Sequence, residues 1–197
     1  MKDFLKSDCS KCFGLCCVAL PYGKSSDFLY YKDAGVPCRN LCSDYRCSIH
    51  AELREKGFRG CVSYECFGAG QLVSQNLYQG HDWRNHQELS GEMFDVFTQV
   101  QQLHEMLWYL RQALNLKETK PFQSDLKKIY NETVQLTQNT PDEIINLDIA
   151  AHRNIVNEFL VKTSEIYRKD VVKTGKKKIK RSNLDYAGLD GRSGRFR

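Results

Sequence analysis

Residues 88–114 read ELSGEMFDVFTQVQQLHEMLWYLRQAL. Within them Leu89, Met93, Val96, Val100, Leu103, Leu107, Leu110 and Leu114 follow one another at steps of 4, 3, 4, 3, 4, 3 and 4. An α-helix turns by about 100° per residue, so these steps align the side chains on one stripe of a helix of about seven turns. Downstream, a second helix is readable from Pro121, with Phe122, Leu126, Ile129, Thr133 and Leu136 continuing the pattern. A third opens at Thr140-Pro141-Asp142-Glu143. There a Thr N-cap, Pro at the first helical position and Glu at the third spell a capping box. Restarted at Asp148, it presents Ile155, Val156, Phe159, Leu160, Thr163, Ile166 and Tyr167 on one face. Short connections make antiparallel neighbours, so residues 87–172 are predicted as a three-helix bundle or a long helical hairpin, and the fold class as mainly α.

Upstream the character differs. Residues 1–80 carry turn signals at Phe13-Gly14, Pro21-Tyr22-Gly23, Gly35-Val36-Pro37, Gly57, Gly60 and Gly68-Ala69-Gly70, with no long apolar period. One short helix is expected over Ile49 to Lys56, closed by Gly57. All nine cysteines lie between Cys9 and Cys66. A segment this poor in periodic apolar residues lacks a core of its own, and a metal crosslink would supply what is missing.

The chain has 197 residues, 41% hydrophobic and 27% charged, near a soluble globular average. No run approaches the roughly 18 apolar residues of a membrane span, and the acidic start (Asp3, Asp8) is unlike a signal peptide. The expected location is therefore cytoplasmic, with no membrane partner. An odd number of cysteines in a reducing compartment argues against a disulfide framework and for metal ligation. Arg168 to Arg197 hold a net charge of +8 against +5 for the whole chain, leaving the body acidic. Residues 173–197 are read as a basic, mostly disordered tail.

The cysteines run Cys9-x2-Cys12-x3-Cys16-Cys17, then Cys38, Cys42, Cys47, Cys61 and Cys66. A C-x2-C turn brings two thiolates to one ion while backbone amides point at the sulfurs. Adjacent Cys16 and Cys17 point different ways, so two sites, or one cluster and a separate site, fit better than a single ion. Eight thiolates match two centres of four. Thiolate ligation suits Zn, an Fe–S cluster or Cu(I) alike.

Asp8-Cys9-Ser10-Lys11-Cys12-Phe13-Gly14-Leu15-Cys16-Cys17, Pro37-Cys38-Arg39-Asn40-Leu41, Asp44-Tyr45-Arg46-Cys47-Ser48-Ile49-His50, Gly60-Cys61 and Cys66-Phe67-Gly68-Ala69-Gly70-Gln71 resemble the bacterial CxxCxxCC-type zinc- or iron-chelating domain. They are more similar still to the cysteine-rich N-terminal region of certain bacterial pentapeptide-repeat proteins, in which a helical segment leads into a β-helix of A(D/N)Lxx repeats. The likeness covers roughly residues 8–172. It implies a ligand set of Cys9, Cys12, Cys16, Cys17, Cys38, Cys47, Cys61 and Cys66, with Cys42 outside it. Asn183 to Asp190 look like a vestigial first repeat that Gly191-Arg192-Ser193-Gly194 does not sustain, which implies a short or truncated member.

Other candidates are weaker. His50 stands two residues beyond Cys47 and is kept as an extra ligand. His104-Glu105-Met106-Leu107-Trp108 starts like a zincin motif but has Trp108 in place of the second His, so His104 reads as a residue flanking the seam. Gly68-x-Gly70 lacks a third glycine and reads as tight turns, not a dinucleotide loop. His81, Asp82, Trp83 and His86 read as a solvated connector. No nucleophile-and-base set stands out. The expected role is binding, sensing or scaffolding, with an Fe–S redox or enzyme component, or a metal-free helical interaction module, as alternatives. The helical seam could take a protein partner or a second copy, and the basic tail could touch nucleic acid, which is not favoured over a solvated tail.

Overall fold

The computed structural model describes residues 3–173. Its regular elements are helical, and among the described residues strand pairing is limited to two isolated bridges, Tyr22 with Lys32 and Leu41 with Cys47. The order is α1 (Leu15–Ala19), α2 (Arg59–Ser63), α3 (Ala69–Gln71) continuing as a π-helical turn (Leu72–Leu77), α4 (Ser90–Leu114), α5 (Gln123–Leu136), α6 (Pro141–Ile145) and α7 (Ile149–Lys173). No described helix is long and apolar enough to cross a membrane.

The heptad stripe became α4 and is buried along its length. Met93, Val96, Val100, Leu103, Leu107 and Leu110 are fully enclosed, and Phe97, His104, Met106 and Ala113 widen the stripe into a face. That breadth suits a helix with neighbours on several sides. Helices α5, α6 and α7 all pack on α4, as do α1 and α3. The capping box forms as expected: the Thr140 hydroxyl receives the Glu143 amide, and the Glu143 carboxylate receives the Thr140 amide. On α7 the buried stripe is narrower than its sequence suggests. Val156 and Thr163 are enclosed and Phe159, Leu160 and Ile166 partly so, but Ile155 and Tyr167 are 47% and 46% exposed. Among the described residues the main neighbours of α7 are α4 and the 117–122 turn.

Two cores lie along α4. The N-terminal half (Met93, Val96, Phe97, Val100) joins Leu15, Val18 and Ala19 of α1, Ala69 and Val73, and Tyr78 and Trp83. The C-terminal half (Leu103, Met106, Leu110, Ala113) joins Phe122, Leu126, Ile129, Ile149 and Val156. The cysteine-bearing segment thus borrows half a helix for the core that its own composition does not provide.

One expected helix is not there. Residues 49–56 form only a single 3-10 turn, His50–Glu52, followed by turns up to Gly57 at φ +76°. The stretch Ala51 to Lys56 has no apolar face to dock, and its side chains are largely exposed, so nothing pays the nucleation cost of a longer helix. The basic tail and the vestigial repeat lie outside the described residues, apart from the backbone at position 173.

Candidate metal centres

Three structural devices gather the cysteines. The first is Gly14, which enters α1 at φ +65° and lets the chain turn from Cys12 straight into a helix carrying Cys16 and Cys17. The second is the pair of bridged loops 22–32 and 38–47, tied to α1 by the Cys38 amide donating to the Cys17 carbonyl at 2.9 Å. The third is Gly68 at φ +82°, which turns the chain from Cys66 into α3.

The outcome is two neighbourhoods. Cys9, Cys12, Cys16 and Cys66 line one cavity of about 20 Å³, with Ser7, Gln71 and Phe97 among its other walls. Gly70 stands against it: a Cβ there would come 2.5 Å from the Cys12 sulfur and 4.0 Å from that of Cys66. In the second neighbourhood, Cys61 feels the charges of Cys17, Cys38 and Cys47, while Cys47 feels those of Cys17, Cys38 and Cys42. Adjacent Cys16 and Cys17 stand where the two neighbourhoods meet, their sulfurs 4.0 Å apart, and Cys17 also acts on Cys9. All nine cysteines are free thiols. Among the described residues no group of three or more His, Cys, Asp or Glu side chains stands where it could hold a metal ion.

Backbone amides point at several sulfurs. Cys12 receives hydrogen bonds from the Leu15 and Gly14 amides, Cys47 from that of Ile49, and Cys38 from that of Asn40 at 3.5 Å. An amide two residues on, aimed at the sulfur, recurs at Cys12, Cys38 and Cys47; it stabilises a thiolate and is how thiolate ligands are commonly oriented. Cys38 is the most heavily contacted: the Tyr22 hydroxyl lies 3.5 Å and the Tyr30 hydroxyl 3.3 Å from its sulfur. Beside the same group sits Lys32, only 6% exposed, whose ammonium donates to the Val18 and Asp33 carbonyls at 3.0 and 2.9 Å.

Burial pushes the Cys12 and Cys61 thiols up to about 11. Cys16 also rises, through its hydrogen bond to Cys17 and its burial, whereas Cys17 is lowered by that bond and by the Lys32 ammonium. Burial pulls Lys32 down, against the Cys38 and Cys17 charges that raise it. Thiols of this kind stay protonated unless something replaces the proton, so ion capture here would release protons and weaken in acid.

The remaining candidates fall outside these groups. His50 is exposed, and its amide caps the Cys47 carbonyl. Cys42 approaches Cys47 but is not among the neighbours of Cys61, and its carbonyl is held by Arg84. The expected solvated connector 81–86 is instead a clamp. Asp82 accepts from the Tyr45 hydroxyl, the Arg84 and Asn85 amides and the Asn85 side chain; Trp83 donates to the Phe13 carbonyl; Arg84 donates to Ser43 and Cys42. His104, read as a flanking residue, is 1% exposed and places Nδ1 2.7 Å from the carbonyl of Phe67, next to Cys66. A sequence signal existed: His104 lies one residue beyond Leu103 and seven beyond Phe97, on the flank that widens the stripe.

The chain is similar to a Bacillus subtilis (strain 168) protein described as uncharacterized protein YybG, with 57% identity over 164 residues. The alignment covers 83% of this chain and 59% of that protein, so the chain spans about three-fifths of its relative's length. No family model and no solved structure matches the chain.

Proposed function

We propose that the chain is a metal-binding protein whose eight thiolates serve two centres, Cys9/Cys12/Cys16/Cys66 and Cys17/Cys38/Cys47/Cys61, in a reducing compartment such as the cytoplasm. The observation that carries this reading is the cavity of about 20 Å³ walled by the first four sulfurs and kept open by the missing Cβ of Gly70. Its volume is that of one water-sized guest, which suits a single ion such as Zn better than a multi-iron cluster. Amides already aimed at Cys12, Cys38 and Cys47 support thiolate ligation in both groups. Four thiolates leave no open position on Zn, so the role is binding, sensing or scaffolding rather than turnover. The hydroxyls on Cys38 support an Fe–S alternative for the second centre, because such bonds tune a cluster's potential.

The test is metal and acid-labile sulfide content of the full chain purified without oxygen, with an absorption spectrum of the same sample. About two Zn per chain and no visible band is the expected result. Iron with sulfide and a broad band near ~400 nm would move the second centre to the cluster reading. A folded protein that holds neither, and takes up no Zn on titration, overturns the proposal.

A further inference from the structure

The two groups differ in what surrounds their sulfurs, and the difference bears on how each meets a soft electrophile. Around the second group, Cys38 has two phenolic hydroxyls and the Asn40 amide within reach, Cys47 has the Ile49 amide, and the buried Lys32 ammonium has no carboxylate partner within ion-pair distance among the described residues. Hydrogen bonds and a nearby cation withdraw electron density from thiolate sulfur and lower its nucleophilicity. Among the described residues the first group has no buried cation; the half-exposed Lys11 ammonium lies 3.9 Å from the Asp8 carboxylate. Its hydroxyl, Ser7, lies 3.0 Å from the Cys66 sulfur, but Ser7 has one proton and directs it to the Glu65 carboxylate. Asp8 and Glu65 set negative charge beside Cys9. Cys9 is the exposed cysteine of the nine, and its sulfur receives no hydrogen bond among the described residues.

Resting on the metal reading above, we infer that the first centre is a sensor of soft electrophiles, entered at Cys9, while the second is the inert centre that holds the fold. The Cys9 sulfur bonds to the electrophilic carbon. With a maleimide, the neighbouring alkene carbon takes up a proton from water. The thioether so formed is a poor ligand, and the first centre's ion leaves. Cys66 and Cys12 then lose a common partner at the turn that enters α3, the element joining the cysteine segment to α4.

The probe is N-ethylmaleimide added in small molar steps to the Zn-loaded full chain carrying Cys42→Ser, which removes the one cysteine outside both centres. Zn release is followed with a chromogenic chelator and the labelled cysteine is identified by peptide mass spectrometry. The expected course is one Zn released in a fast phase with the first adduct on Cys9, and the second Zn released at least about tenfold more slowly. Release of both ions at one rate, or first labelling of Cys17, Cys38, Cys47 or Cys61, overturns the inference while the starting content of two ions leaves the metal reading standing. A chain that binds no Zn before the probe is added overturns both. In Lys32→Met, provided it still loads two ions, the slow phase should quicken toward the fast one; an unchanged slow phase removes Lys32 from the explanation and counts against the inference.

Discussion

Gly70→Ala is the sharpest single test of the first centre. Gly70 lies in α3 and its backbone is ordinary helix, so Ala costs nothing in conformation and gains about 1 kcal/mol in helix propensity. The added methyl would sit 2.5 Å from the Cys12 sulfur, where ordinary contacts begin at 3.4 Å, so that sulfur has to retreat by about 1 Å. Cys12 is boxed in by Cys9, Cys16, Cys66 and Phe97 around a space of about 20 Å³. Overpacking of this kind costs about 1–3 kcal/mol, so the net loss expected in a urea melt of the metal-free chain is roughly 0–2 kcal/mol. The metal readout should be far larger, because a displaced sulfur and a filled cavity both oppose ion capture: Zn content should fall from two per chain toward one. Gly91→Ala is the control, since a Cβ there meets nothing within 4 Å, and it should keep both ions and gain about 1 kcal/mol. A Gly70→Ala protein that binds two ions with wild-type affinity would refute the reasoning.

Three further outcomes are expected. Burial lowers the folded pKa of His104 below its ordinary 6.5, so the stability it contributes is present above about pH 6.5 and lost as pH falls through the folded value; urea midpoints of His104→Gln against wild type should converge in acid, and parallel curves would show His104 is not the group responsible. Cys42→Ser should leave metal content at two per chain whereas Cys47→Ser should lose one, and equal losses would mean the second group is wrongly drawn. Thr140→Ala removes the α6 cap and should cost about 1 kcal/mol by thermal melt without changing metal content.

Much of the helical half was legible because its signals are local. The stripe from Leu89 to Leu114, the Pro121 start and the Thr140 box each depend on residues a few positions apart; the stripe and the box appear where the sequence puts them, whereas Pro121 falls inside the 117–122 turn and α5 begins at Gln123. The face of α7 was over-read, since periodicity marks what can be buried and not whether a neighbour arrives to bury it. In the cysteine segment, order and number were legible, but the sorting into groups was not. Cys66 joins Cys9 through contacts some sixty residues apart, such as the Gln75 side chain on the Lys11 carbonyl and the Phe13 amide on the Ser74 hydroxyl. Asp82 looked like a solvated acid because nothing nearby in sequence reveals Tyr45 as its donor. Gly70 looked like a turn residue, whereas it sits in ordinary helix with a sulfur in place of its Cβ.

The two cores strung along α4 have a consequence for how the molecule opens. At about 1.5 Å per residue, the 25-residue α4 is roughly 37 Å long, and its backbone hydrogen bonds run unbroken from one core to the other. Amide exchange in such a helix reports both ends at once. The amides near Val96 and Val100 open only when the cysteine segment and α6 let go, and those near Met106 and Leu110 only when α5 and α7 do. Loosening at the sulfurs would therefore register first as lost protection in the leading turns of α4, and spread toward Leu114 only as far as the second core lets the helix fray.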